Sequence, residues 1–335
     1  MPDPMQTSSL KFVLGVLLLS ACVSSTPGGS AIPSASASAA ASQPGPGLPG
    51  RVVFVRSGGA LGDATVVFTA NADGSDERQL SGPGDEGCCA LATRDGARVL
   101  FSTVAPDGRV TTATVNFDGS ERFVIPLPEG TLNLGPGPFS PDGTQIAFEG
   151  FVTGEHPQSV GIHISSADGT DLVQITHGGD IPGDWSPDGT QVLFVRGDPN
   201  DLFAPLHLFV VNVDGSEERQ LTPEEVSVPC CWGYRWSPDG SRILFADAEG
   251  VLWLVNPDGT DLTQLFIDEK VSHVRRSAIT PTWSPDGSQV MFALAPTPNA
   301  FDTSPNGLYV IDADGTGLTL AIGDNTFKRE PTWVP

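Results

Sequence analysis

Residues 185–196 read Trp185-Ser186-Pro187-Asp188-Gly189-Thr190-Gln191-Val192-Leu193-Phe194-Val195-Arg196. An aromatic residue leads into Ser-Pro-Asp-Gly, and an extended apolar run follows. Gly and Asp accept the positive φ of tight turns, so Asp-Gly between extended runs predicts a hairpin. The phrase recurs. Trp236 to Gly240 and Trp283 to Gly287 repeat it, Phe139 to Gly143 varies it, and Ala92 to Gly96 is a degenerate copy. The five Asp residues, Asp95, Asp142, Asp188, Asp239 and Asp286, stand 47, 46, 51 and 47 residues apart. A second phrase, a strand ending in Asp-Gly plus a polar strand, carries Asp73, Asp118, Asp168, Asp214, Asp258 and Asp314.

A fixed period in this range is the mark of a repeat architecture. Each unit reads as four short strands. In the Trp185 unit these are Asp184–Trp185, Gln191–Val195, Leu206–Val211 and Glu218–Leu221. Four strands per unit describe a propeller blade, and six units give an all-β, six-bladed β-propeller. The first unit lacks its aromatic strand. The tail Thr332-Trp333-Val334-Pro335 supplies one, and Arg51-Val52-Val53-Phe54-Val55 reads as the strand that follows it. The C-terminal strand is therefore expected to pair with the N-terminal blade, which removes exposed edges.

Aligning the first phrase gives the column Ala92, Phe139, Trp185, Trp236, Trp283 and Trp333. Large rings at one position per blade suit packing between sheets. The second phrase gives Phe68, Ala113, His163, Phe209, Trp253 and Tyr309, so His163 reads as a core imidazole and not a metal ligand. These Trp-Ser-Pro-Asp-Gly repeats resemble the WD-repeat-like propeller repeats of the TolB family. The resemblance covers residues 51–335 and implies the fold; function lives in sites grafted on it. TolB itself carries an α/β domain before its propeller, where this chain has a tether.

The front of the chain reads as an address. Phe12 to Leu19 form an apolar run behind Lys11, too short to span a bilayer and suited to a signal peptide. Leu19-Ser20-Ala21-Cys22 resembles the lipobox of bacterial lipoproteins, which implies lipidation of Cys22 and a signal peptide over 1–21. Residues 22–50 are nearly all Ser, Ala, Pro and Gly and carry no charge, the composition of a flexible tether. The propeller is then an extracytoplasmic domain held to the cell membrane by lipid, with the outer membrane or cell surface as further destinations.

The chain has 335 residues and a net charge of −23, and its first 50 residues hold only one base, Lys11, and one acid, Asp3. So acidic a propeller excludes nucleic-acid binding, which needs a basic face. The 39 Gly and 30 Pro favour a turn-rich β protein over long helices. No G-x-S-x-G, P-loop or HExxH motif is present. The chain stops at ring closure, so no hydrolase domain is expected to follow. No cofactor is expected, although the acidic balance leaves room for a cation in the channel.

Two features stand out on the face that carries the variable loops, where function commonly resides. Cys88-Cys89 and Cys230-Cys231 are adjacent pairs in a chain destined for an oxidising compartment. They read as two vicinal disulfides, strained because neighbouring Cα atoms lie only about 3.8 Å apart. The second feature is a basic cluster of Lys270, His273, Arg275, Arg276, Lys328 and Arg329, suited to an anionic ligand or acidic partner. The resulting expectation is a monomeric, non-catalytic envelope lipoprotein whose propeller binds a protein or small ligand. The alternative is a channel-site glycosidase or lyase with two carboxylates, acting on envelope sugar or peptide.

Overall fold

The computed structural model describes residues 48–57, 65–82, 85, 89–152, 158–197, 204–229, 233–266, 277–295, 306–324 and 326–335. Its 24 strands form six four-stranded antiparallel sheets. The first strands of blades 2 to 6 are Leu91–Ala92, Leu132–Gly135, Asp180–Trp185, Tyr234–Trp236 and Ser277–Trp283. Blade 1 takes its first strand from the far end of the chain, Phe327–Val334, which pairs with Arg51–Ser57. The first strands of blades 4, 5, 6, 1 and 2 lie against one another in succession, and blade 3 packs against the sheets of blades 2 and 4 on either side. The expected six-bladed propeller and its closure are both present.

Six apolar clusters fill the seams between blades. Trp185 joins Ala147 and Ile162 of blade 3 to Val192 and Phe194 of blade 4. Trp236, Trp283 and Trp333 do the same for the next three seams. Phe139 fills the seam between blades 2 and 3. The smaller Ala92 packs against a cluster of Val53, Val99 and Phe101. The aromatic column is thus inter-blade core. His163 is 6% exposed in its own packing column, and burial pushes its imidazole below the usual range. It lies over Gly150, where a Cβ would come within 2.4 Å of Nδ1.

The Ser-Pro-Asp-Gly turns have a common chemistry. In the Trp185 copy, Ser186 Oγ donates to Asp188 Oδ1 at 2.6 Å, and Gln191 N–H donates to Ser186 Oγ at 2.9 Å. Asp188 Oδ1 also accepts from Thr190 N–H, and Gly189 takes φ of +74°. The copies at Asp142, Asp239 and Asp286 keep these bonds, and in the degenerate copy Thr93 replaces the Ser. In each copy the turn's own hydroxyl and amide groups thus occupy the Asp Oδ1.

These bonds hold Asp95, Asp142, Asp188, Asp239 and Asp286 below the usual carboxylate range, the flanking Ser or Thr hydroxyl first and the backbone N–H next. Asp73, Asp118, Asp214, Asp258 and Asp314 are lowered in the same way, and Asp168 first by Thr170 N–H. A lowered folded value stabilises the protein above the unfolded value of about 3.9 and is lost as pH falls through the folded one. The melting temperature is therefore expected to vary little from pH 8 to 5 and to drop steeply below about pH 4. A profile that stayed level to pH 2 would show that these turns contribute no stability.

Candidate channel-mouth site

In the inner strands of five blades the residue before the column position alternates to the opposite side of the sheet, and in blade 3 Pro138 precedes Phe139, which bridges to Ile146 just past the strand. That column is Leu91, Pro138, Asp184, Arg235, Thr282 and Thr332. All six line a cavity of about 180 Å³ at the channel mouth on the Asp-Gly turn face. Trp236, Trp283 and Trp333 form part of its wall, and Pro238 and Pro285 its rim. One sector, Leu91, Pro138 and Phe139, is apolar; the other carries Asp184, Arg235 and two threonines.

Arg94 completes the site. The other repeats place Pro141, Pro187, Pro238 and Pro285 at its position. Released from that role, the Arg94 side chain reaches from blade 2 to blade 4, where Nη2 donates to Trp185 O at 3.1 Å. Arg235, 7% exposed, donates through Nη1 to Gly183 O at 3.0 Å and Tyr234 O at 2.9 Å. Gly183 has no alternative here, because a Cβ would lie 1.7 Å from the Tyr234 ring. Asp184 Oδ1 accepts from Trp185 N–H at 2.9 Å, and Oδ2 accepts from Trp236 N–H at 2.8 Å across the blade seam.

Desolvation raises the Asp184 carboxyl above its usual range, opposed by the charges of Arg94 and Arg235. Desolvation likewise lowers Arg235, opposed by Asp184, Tyr234 and Glu330. Trp185 Nε1 donates to Pro138 O at 2.9 Å, whereas Trp236 Nε1, Trp283 Nε1 and Thr332 Oγ1 are buried without a hydrogen-bond partner among the described residues. The mouth thus combines two guanidinium groups, one acidic side chain and an apolar wall.

A second set of inner-strand contacts lies three residues before the aromatics. Cys89, Thr280 and Glu330 occupy equivalent positions with φ of 64°, 51° and 56°. Glu330 N–H donates to Thr280 Oγ1 at 3.0 Å, and Cys89 N–H donates to Glu330 Oε2 at 2.8 Å. The chain bridges blades 6, 1 and 2. Arg329 Nε lies 3.3 Å from Glu330 Oε1. Lys328 is 1% exposed, with Nζ donating to Thr326 Oγ1 at 3.0 Å, so this member of the basic cluster lies in the interior.

Lys270, His273, Arg275 and Arg276 lie outside the described residues, as do Cys22, Cys88, Cys230 and Cys231. Among the described residues no three His, Cys, Asp or Glu side chains form a group able to hold a metal ion. Arg94, Asp184 and Arg235 were not singled out by motif or loop length. Their signal is subtler: a charged residue just before the aromatic in two copies, and Arg in place of the repeat's Pro in a third.

No protein-family model matches the chain, and no curated protein matches it in sequence. Solved structures do resemble it. A protein assigned as TolB from Agrobacterium tumefaciens is 17% identical over 86% of this chain and 99% of its own, with a TM-score of 0.59. TolB from Acinetobacter baumannii is 19% identical over 85% of this chain and 67% of its own, also at 0.59. Oligogalacturonate lyase from Vibrio parahaemolyticus is 18% identical over 76% and 70%, at 0.52. At such identities the likeness shows architecture alone: this chain is a six-bladed β-propeller structurally related to TolB-family propellers and distinct in sequence from them.

Proposed function

We propose that the protein is an extracytoplasmic, lipid-anchored and non-catalytic binding module that takes its ligand at the channel mouth on the Asp-Gly turn face. The carrying observation is the cavity where Arg94, Asp184 and Arg235 meet an apolar wall. A cavity in which a few charged and polar groups converge beside an apolar sector has the form of a ligand site. The same wall argues against the glycosidase reading. That chemistry needs two carboxyl groups free to face one bond; among the described residues of this wall the carboxyl groups are Asp184, both of whose oxygens are held by backbone N–H groups, and the terminal carboxylate of Pro335, held by Arg51 Nε. The lipobox-like Leu19-Ser20-Ala21-Cys22 and the uncharged tether behind it support the anchor and the location.

Photo-crosslinking in intact cells tests the reading. A benzophenone residue is placed at Pro285 on the cavity rim and, as control, at the exposed Asp168 on the outer edge of blade 3. A discrete adduct from position 285 and none from 168 is the expected result. Equal labelling at both positions, or none at either, would remove the channel mouth as the working surface. In the same cells, labelled fatty acid should enter the wild-type chain and not Cys22→Ser.

A further inference from the structure

The mouth carries a charge imbalance that points to what fills it. Both oxygens of Asp184 are engaged by backbone N–H groups, of Trp185 and Trp236. Two guanidinium groups, Arg94 and Arg235, share the cavity wall with this one acidic side chain among the described residues. Arg94 spends one nitrogen on Trp185 O, and Arg235 spends Nη1 on two carbonyls. Among the described residues, Nε and Nη1 of Arg94 and Nε and Nη2 of Arg235 donate to no protein acceptor. Nearby charges do not change the balance. Glu330, the other acid close to Arg235, lies off the cavity wall and is engaged by Cys89 N–H and Arg329. Pro335, on the rim, carries the terminal carboxylate of the chain, and that charge is met by Arg51, whose Nε donates to it at 3.2 Å. The imbalance is local and positive inside a chain of net charge −23.

An uncompensated charge away from bulk water is costly, and a guest of opposite charge relieves that cost. Guanidinium presents a planar fork of donors that matches a carboxylate, and such charge-assisted pairs are the strong ones. The opposite sector, Leu91, Pro138 and Phe139, offers no polar side chain to a guest and suits an apolar body. The volume of about 180 Å³ exceeds the roughly 150 Å³ of a cavity able to hold benzene, so a single ring with a carboxylate fits.

Resting on the channel-mouth reading above, we propose that the site binds a monocarboxylate with a compact apolar body, its carboxylate between Arg94 and Arg235 and its body against Leu91, Pro138 and Phe139. A free aromatic or branched organic acid and the carboxyl end of a polypeptide share this chemistry. Asp184 adds selectivity, since it repels a second negative charge and disfavours dicarboxylates.

The repeat itself supplies the variant that tests the proposal. Arg94→Pro gives the degenerate turn the residue found in its four counterparts, and the Arg94 N–H makes no backbone hydrogen bond among the described residues. It should fold like the parent while losing one half of the carboxylate clamp. Arg94→Lys keeps the charge and loses the fork, and serves if the Pro variant fails to fold. Calorimetry on the full-length chain in detergent would compare phenylacetate with neutral phenylacetamide, and a peptide ending in Phe as free acid with its C-terminal amide.

Phenylacetate is expected to bind at least tenfold more tightly than phenylacetamide, and Arg94→Pro or Arg94→Lys to weaken it at least tenfold. Binding of the free-acid peptide alone would assign the ligand to a polypeptide end, and binding of phenylacetate to a free acid. Equal binding of acid and amide, or no binding of either acid, would overturn the carboxylate proposal. The Pro285 adduct, present or absent, then separately decides whether the channel mouth is still the binding surface.

Discussion

Replacing Arg196 by Met is expected to destabilise the protein by about 3–5 kcal/mol, as found when one partner of a buried ion pair is removed. Asp180 opens the inner strand of blade 4 and is 0% exposed. Arg196, directly across from it in the next strand, meets it bidentately, Nε to Oδ1 at 2.6 Å and Nη2 to Oδ2 at 2.7 Å. The guanidinium also bonds Glu218 beyond the outermost strand, with Nη2 to Oε2 at 2.9 Å. It lies 5.2 Å from the ring centres of both Phe194 and Phe209. One side chain therefore ties the first and second strands of its blade to the residue that leads into the fourth, Arg219–Gln220.

Methionine keeps some of the packing and leaves the Asp180 carboxylate buried without its counter-charge. The double variant Arg196→Met/Asp180→Asn removes that charge and should recover about 1–3 kcal/mol, the coupling expected of groups in contact. Urea unfolding of the four members of this cycle is the measurement. A loss below about 1 kcal/mol in Arg196→Met would place the pair among ordinary surface salt bridges. Blade 1 repeats the outer half of the clamp with Arg56, Glu77, Phe54 and Phe68, but Lys328 stands across from Arg56 where blade 4 has Asp180.

Neither clamp was legible in the sequence, and the reason is physical. The aromatic column, the Asp-Gly turns and the period are local patterns. Each is fixed by a few adjacent residues whose backbone needs are the same in every copy, so repetition makes them visible. The closure by Thr332-Trp333-Val334 was legible for the same reason: one unit lacked a strand and the tail matched it. Arg196 and Asp180 stand 16 residues apart, and their pairing depends on register across a hairpin. The channel mouth is harder still. Arg94, Asp184 and Arg235 come from three blades and meet because six inner strands converge. A binding site in a repeat protein must differ between copies, and a search for shared residues passes over such departures. The long loops drew attention because they vary in length. At the mouth the turns keep one length and only the side chains change.

Trp333→Ala is expected to cost about 3–5 kcal/mol, the range for truncating a large buried aromatic, and to open the molecule at a particular place. Trp333 is 5% exposed and packs between Met291 and Leu308 of blade 6 and Val52 and Phe54 of blade 1. Its Nε1 donates to Pro49 O at 2.9 Å, and Val52 is its register partner. Around it the chain ends are fastened by Arg51, whose Nη2 donates to Gly96 O at 3.2 Å and whose guanidinium lies 4.1 Å from the Phe117 ring centre. Gly50 takes φ of +88° and passes so close to Val334 O that a Cβ would stand 2.4 Å from it. Trp283 is likewise buried one seam away, but it belongs to a blade built from continuous chain. Its replacement should lower global stability by a similar amount. The difference lies in how each variant opens. The strand Phe327–Val334 can leave blade 1 without unthreading any other sheet, so in Trp333→Ala it becomes the cheapest local unfolding. Native-state hydrogen exchange should then find the amides of Phe327–Val334 and their partners in Arg51–Ser57 exchanging well before those of blades 3 to 5. In Trp283→Ala these groups should remain together. Trp333→Phe, which keeps most of the packing and loses the bond to Pro49 O, should fall between parent and Ala variant. Identical exchange patterns for Trp333→Ala and Trp283→Ala would mean that the closing seam is no weaker than the others, and that the ring unfolds as one unit wherever it is damaged.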